Sequence, residues 1–391
     1  MQRLRIHALV VTALLALSST CLSQSSTAGK AIVGYVFPKQ TLLAPDQIDA
    51  HSLTRINYAF IKITDGRIAP ASAVDAQNLA FLIGLKMQNP ALTVLVSVGG
   101  WLGSDGFSDM ALTPQSRKIF VDSAMDFLER NKLDGLDIDW EYPGAPGAGH
   151  TFRSEEKQNF TLLLKDLRER FTQAEKTKGR HLYLTIAAGA SNDYLSHTEM
   201  AEVQRYVDSV NLMSYDYVMI PSNAATGHNA PLFTNPSAPI QGSADASVRA
   251  FEQAGVPASK LILGVPFYGR AWQGVAAVNH GLFQPANPAT LSFLPYSVIA
   301  QNMLGHGFTR YWDSAASAPY LYSSVKNVFV SYDDPESLSL KSKYVTEHGL
   351  GGVMFWEYSN DPSGELLHTI FHALSEPNRD VKTSQPPKPQ P

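Results

Sequence analysis

The sequence has a single cysteine, Cys21, which excludes a fold held by internal disulfides. It lacks any excess of positive charge: 31 Lys and Arg stand against 35 Asp and Glu, for a net charge of −4. A polyphosphate backbone therefore has nothing to hold it, and no nucleic-acid partner is expected. No apolar run reaches the roughly 20 residues needed to cross a bilayer. No glycine-rich phosphate loop follows the first strand-like segment, so the usual opening of a nucleotide-binding fold is absent. What is present is length and apolar content: 391 residues, 44% hydrophobic. That suffices for one large core, and a single barrel of roughly 250–400 residues fits without further division.

The two ends read differently from the middle. Arg3 and Arg5, a short apolar run at 8–17 and small residues beyond it have the form of an export signal over 1–23, cut near Ser23. The mature chain would then carry no cysteine and work outside the cytoplasm, secreted or periplasmic, without a membrane association. The rival reading makes Cys21 a lipid-anchored first residue, but Ser19 and Thr20 fit the preceding positions poorly. Residues 376–391 are Pro-rich from 382 onward, lack apolar periodicity and read as a disordered tail.

Across 28–375 short apolar runs alternate with amphipathic stretches, as in parallel strands covered by helices. Eight strand candidates fall at 31–37, 55–63, 93–99, 135–141, 182–188, 209–215, 261–268 and 352–356. The stretch 154–178 is helical in pattern, with Phe160, Leu163, Leu164, Leu167 and Phe171 along one face. The expected fold class is α/β, a closed (β/α)8 barrel; an open doubly wound sheet is the alternative on counting alone. The regular spacing breaks between Trp272 and Asp334. That segment is too long for an ordinary connection and has its own strand-like pieces, so it reads as a small α+β insertion after the seventh strand.

The most informative run is DGLDIDWEYP at 134–143. Asp137, Asp139 and Glu141 are two residues apart, and a strand sends alternate residues to one face. Leu136, Ile138 and Trp140 take the other face, suited to the helix layer, so the acids face the barrel interior. Three carboxyls so placed cannot all ionise cheaply, because close like charges and desolvation both raise carboxyl pKa values. Glu141, nearest the barrel mouth, is best placed to stay protonated and meet substrate, while Asp137 and Asp139 exchange a proton beneath it. A solvated acidic face is the plain alternative, disfavoured by the apolar partners. Metal binding, such as a structural calcium, is another, although no histidine lies near in sequence. No metal or cofactor is expected.

This run resembles the signature of the family 18 glycoside hydrolases, the chitinase family, whose pattern is DxxDxDxE. SVGG at 97–100, MSYD at 213–216, GVPFYGR at 264–270 and GGVMFW at 351–356 resemble further motifs of that family, in its order, and YDD at 332–334 resembles the end of its insertion domain. The resemblance spans about 31–375.

It implies a retaining, substrate-assisted chitinase in which Glu141 is the general acid and base. Asp139 would hold the 2-acetamido group of the sugar, Asp137 would stand behind it, and Tyr215 and Asp216 would bind the acetamido beside Met213. Trp356 would be the apolar floor. Tyr35, Phe60, Trp101 and Tyr268 are cleft candidates, and Arg270 a candidate partner for sugar hydroxyls. Trp272 and Trp312 would line the insertion wall. Gly99 and Gly100 read as turn residues, and His228 and His306 as surface groups. The expected partner is chitin or an N-acetylglucosamine oligosaccharide, and the expected state a monomer. Other substrates carrying N-acetylglucosamine, in peptidoglycan or N-glycans, and a chitin-binding lectin on the same fold, are the competing functions.

Overall fold

Runs rich in Val, Ile and Leu that are buried on both faces form the strands, and the amphipathic stretches between them cover the outside. The computed structural model describes residues 29–219 and 225–375. The segments 1–23 and 376–391, read above as signal and tail, lie outside the described residues. The barrel strands, first to eighth, are Ala31–Val36, Arg55–Thr64, Thr93–Gly99, Gly135–Asp139, Tyr183–Gly189, Ser209–Met213, Leu261–Pro266 and Gly352–Trp356. They belong to a nine-stranded sheet whose remaining member, the short Arg67–Ala69, hangs antiparallel on the second strand. The other eight pair in parallel in chain order, and the first joins both the second and the eighth, which closes the barrel.

Helix Glu156–Lys178 fills most of the stretch expected to be helical. Phe160, Leu163, Leu164, Leu167 and Phe171 are all buried against the sheet. Trp140 packs outward as expected, stacked on Phe107 with centroids 5.0 Å apart and edge-on to Phe160.

Three strands stop two residues short of the reading of the sequence, and the first, second and fifth end within one residue of it. The fourth strand stops at Asp139, the sixth at Met213 and the seventh at Pro266. Alternation of side chains continues beyond these points, but the ladders do not. After the seventh strand Phe267 N donates to Trp356 O, and Phe267 O accepts from Tyr296 N, so the chain leaves the barrel there.

A second sheet of five antiparallel strands begins at once, with Tyr268–Gln273 at its centre side and Ser292–Pro295, Thr309–Asp313, Ala318–Ser323 and Val328–Ser331 around it. The inserted unit thus starts at Tyr268, not at Trp272. Trp272 does not line a wall: it is buried with Val275, Tyr320, Tyr322 and Phe329 in the core of this sheet. Trp312 lies under Arg310, 5.3 Å from its guanidinium carbon, and outside the cleft lining.

His228 is also placed differently from the sequence reading. It is buried, with Nε2 2.9 Å from Asp313 Oδ2, because the segment after the sixth strand folds back on the inserted sheet. Nearby, Asn229 N donates to Ser331 Oγ at 2.7 Å and Leu232 N to Ala316 O at 3.0 Å. His306 is exposed.

The same junction contains a buried ion pair. Lys341 Nζ, on helix Pro335–Glu347, donates to both oxygens of Asp333 at 2.8 and 2.6 Å and to Ala230 O at 2.6 Å. Removing one partner strands the other charge in the interior, at a cost of about 3–5 kcal/mol. Urea unfolding of Lys341→Met is therefore expected to show a loss of that order. The double variant Lys341→Met/Asp333→Leu should recover much of it, and equal losses in the two variants would contradict the pairing.

Candidate active site

Alternation within parallel strands builds the barrel interior in layers. The register sets Ser97 and Thr185 beside Asp137 on the third and fifth strands. Asp137 is fully buried and accepts four hydrogen bonds: from Tyr35 Oη at 2.9 Å, Ser97 Oγ at 2.7 Å, Thr185 Oγ1 at 2.5 Å and Asn211 Nδ2 at 3.1 Å. Burial pushes its carboxyl upward while these donors pull against it.

One layer up, Asp139 is buried and its Oδ1 has no hydrogen-bond partner. Desolvation first, then the charges of Glu141 and Asp137, drive its pKa well above the usual carboxylate range. The fold therefore favours the neutral form of Asp139. The expected exchange between Asp137 and Asp139 is not visible as a hydrogen bond, since both oxygens of Asp137 are taken by the four donors. Glu141 stands at the cleft. Burial pushes it up to about 7, against the pull of a hydrogen bond from Tyr142 and with a further push from Asp216.

These acids lie at the bottom of a cleft of about 1540 Å³, lined by Asp139 and Glu141 but not by Asp137. That volume exceeds the roughly 300–1,000 Å³ of a pocket for one small ligand and suits a chain of rings. Trp356 forms an aromatic floor, stacked on Phe60 with centroids 5.5 Å apart and flanked by Phe37 at 5.7 Å and Tyr35 at 5.9 Å. Tyr215 points into the same space. Among the described residues its hydroxyl makes a single weak hydrogen bond, to Met354 Sδ at 4.0 Å, which a ligand acceptor could replace. Met213 lines the cleft beside it.

On the wall formed by the inserted sheet, Arg270 grips Asp216 through both oxygens, at 2.8 and 2.9 Å. Tyr268 and Phe293 stack at 4.5 Å, and the Arg270 guanidinium lies over both rings. Arg270 is thus committed first to Asp216. Trp101, half exposed, stands on the opposite rim near Tyr142.

Two loop anchors fix Glu141. Ser104 Oγ accepts from Glu141 N at 2.9 Å and donates to Gly100 O at 2.9 Å. Glu156, buried in the first turn of its helix, accepts from Gly144 N at 2.8 Å and from the hydroxyl of Ser108. Gly99 has a φ of +111°, and a Cβ there would lie 2.2 Å from Asp139 O, so the turn role expected of this glycine has a steric cause.

Every site residue expected from the sequence other than Asp137 lines this one cleft, and Asp137 lies directly below it. The sequence reading missed Ser97, Thr185, Asn211, Ser104, Glu156, Tyr142 and Phe293. The strand register could have found Ser97 and Thr185, since both fall opposite Asp137. No cluster of three His, Cys, Asp or Glu fit to hold a metal occurs among the described residues.

Because the folded-state pKa of Glu141 is raised, its neutral form is the one the fold favours, and that preference is lost as pH rises from 4.5 through about 7. Glu141→Gln should therefore gain stability over wild type across that interval, by on the order of 3 kcal/mol. Chemical denaturation at pH 4.5 and 8 measures this; a difference independent of pH would contradict the burial of the charge.

Residues 31–361 match the family described as Glycosyl hydrolases family 18. Chitinase A1 of Niallia circulans is 44% identical over 314 residues, which cover 75% of this chain and 44% of that protein. This chain thus spans less than half of that bacterial relative. Chitotriosidase-1 of Mus musculus is 32% identical over 89% of this chain and 77% of its own length. Among solved structures, a family 18 N-acetylglucosaminidase from Paenibacillus barengoltzii superposes with a TM-score of 0.81 at 41% identity, over 88% of this chain and 99% of that one. A match that runs unbroken from the first barrel strand to just past the eighth makes this chain a glycoside hydrolase of family 18.

Proposed function

We propose that the protein is an exported chitinase that hydrolyses β-1,4 bonds between N-acetylglucosamine units, with retention of configuration, using the acetamido group of the substrate as nucleophile. The observation that carries this reading is the column of acids: Glu141 at the cleft, pushed up to about 7 by burial, with buried Asp139 behind it, pushed well above the usual carboxylate range. An ordinary retaining glycosidase aims a second carboxylate across the bond from about 5 Å away. Residues two apart on a strand are about 7 Å apart and point in parallel, so Asp139 is poorly aimed for attack. Family 18 enzymes stand among the substrate-assisted exceptions to the two-carboxylate rule.

In this scheme Glu141 protonates the glycosidic oxygen while the acetamido carbonyl attacks the anomeric carbon, giving an oxazolinium ion. Asp139 accepts from the acetamido N–H, and the hydroxyl of Tyr215 donates to its carbonyl oxygen. Asp137, pinned by four donors, supplies the fixed negative charge that faces the developing cation. Glu141, now a carboxylate, draws a proton from the water that opens the ring. The names of the relatives support chitin as the polymer, and the charged and apolar run over 3–17 supports export.

The similarity to an N-acetylglucosaminidase favours a second reading, release of single sugars from a chain end by the same chemistry. Mass analysis of a chitohexaose digest separates the two: internal fragments support the first reading, and monomer with pentamer the second.

Three outcomes are expected. Release of nitrophenol from a chitobioside should fall as pH rises through about 7, following loss of the Glu141 proton. Glu141→Gln should lower it by about 10³-fold. Fully deacetylated oligomers of matched length should not be cleaved. Turnover of the deacetylated chain at a comparable rate would sink the proposed nucleophile.

A further inference from the structure

Below Asp137 the barrel interior stays polar where branched apolar side chains are the ordinary filling. Arg55, on the second strand, is buried there. Its Nη1 donates to Ser209 Oγ at 3.1 Å on the sixth strand, and its guanidinium carbon lies 4.8 Å from the ring of Tyr183 on the fifth. Contacts to strands across the barrel place this side chain inside it. Ser209 and Tyr183 each precede by two residues a side chain that hydrogen-bonds Asp137, namely Asn211 and Thr185. Arg55 therefore lies one layer beneath Asp137, about 7 Å along the strands.

Arg55 makes no contact ion pair among the described residues, and its Nε has no hydrogen-bond partner. Two acids act on its charge, Asp208 and Asp137. Asp208 is already held by Arg168 at 2.6 Å and by His181 at 2.9 Å. The cation that acts on Asp137 is Arg55. The groups that face it are Tyr35 from the first strand, Ser97, Thr185 and Asn211 from the third, fifth and sixth, and Asp139 from its own. From the seventh and eighth strands Ile262, Met354 and Trp356, none of them titratable, belong to the same interior cluster.

We infer that Arg55 is a positioning residue of the reaction: its buried guanidinium, one layer under Asp137, keeps the Asp137–Asp139 pair from taking up a second proton. The inference rests on the substrate-assisted reading above. With one proton on the pair, a negative charge remains to face the oxazolinium ion. With two, none does, and activity is lost on the acid side.

The test is the pH dependence of kcat and KM on a chromogenic chitobioside for wild type, Arg55→Gln and Arg55→Lys. In Arg55→Gln the acid limb of kcat should move to higher pH by about one unit, as expected when a nearby cation is lost. The alkaline limb, set by the more distant Glu141, should move less, and KM should change little. Arg55→Lys, which keeps the charge, should keep the wild-type acid limb. An unmoved limb in Arg55→Gln, or an equal shift in Arg55→Lys, overturns the inference. Arg55→Met repeats the test if the glutamine variant does not fold. If neither uncharged variant folds, Arg55 is a stability residue and the inference falls. Wild type that releases no product sinks the functional reading instead, which is a separate result.

Discussion

The structure depends on one electrostatic constraint: three carboxyls stacked inside a closed barrel cannot all be charged. Each layer answers it differently. At the bottom Asp137 is given four hydrogen-bond donors, which pull against the upward push of burial. In the middle Asp139 is given none for one of its oxygens, and burial with two acidic neighbours favours its neutral form. At the top Glu141 meets the cleft and sits near neutrality, where a single group can serve as acid and then as base. A gradient of solvation along one strand thus assigns three roles to three similar side chains.

The rest of the fold holds that column still and brings a sugar chain to it. Closure of the barrel sets donors from four other strands around Asp137. The loops after the third and fourth strands are tied to Glu141 by Ser104 and braced by Glu156, both buried. The inserted sheet adds a wall whose exposed edge is Phe293 backed by Tyr268 and Arg270, opposite Trp101 on the far rim. Arg270, pinned to Asp216, ties that wall to the end of the sixth strand.

Much of this was legible in the sequence for a simple reason. Period-two alternation reports which way side chains point, and Asp137, Asp139 and Glu141 against Leu136, Ile138 and Trp140 leave little choice of face. The order of strands and helices was legible on the same basis. Strand ends were not, because alternation persists past the last ladder bond, as it does after Asp139 and Met213. The donors to Asp137 lie 40 to 102 residues away in sequence and meet only through register. His228 was misread because its partner, Asp313, is 85 residues distant and belongs to the inserted sheet. Trp272 was misplaced because a buried aromatic and a cleft aromatic look alike in a sequence; the cleft position went to Phe293.

The central claim is that the nucleophile belongs to the substrate and not to the protein. The most direct measurement is kcat/KM for a series of aryl chitobiosides whose N-acetyl group carries zero, one, two or three fluorines. Fluorine weakens the carbonyl oxygen as a nucleophile while changing its size little. A steep fall in rate along the series is the predicted result; a flat series would show that a group of the enzyme makes the attack and would contradict the account.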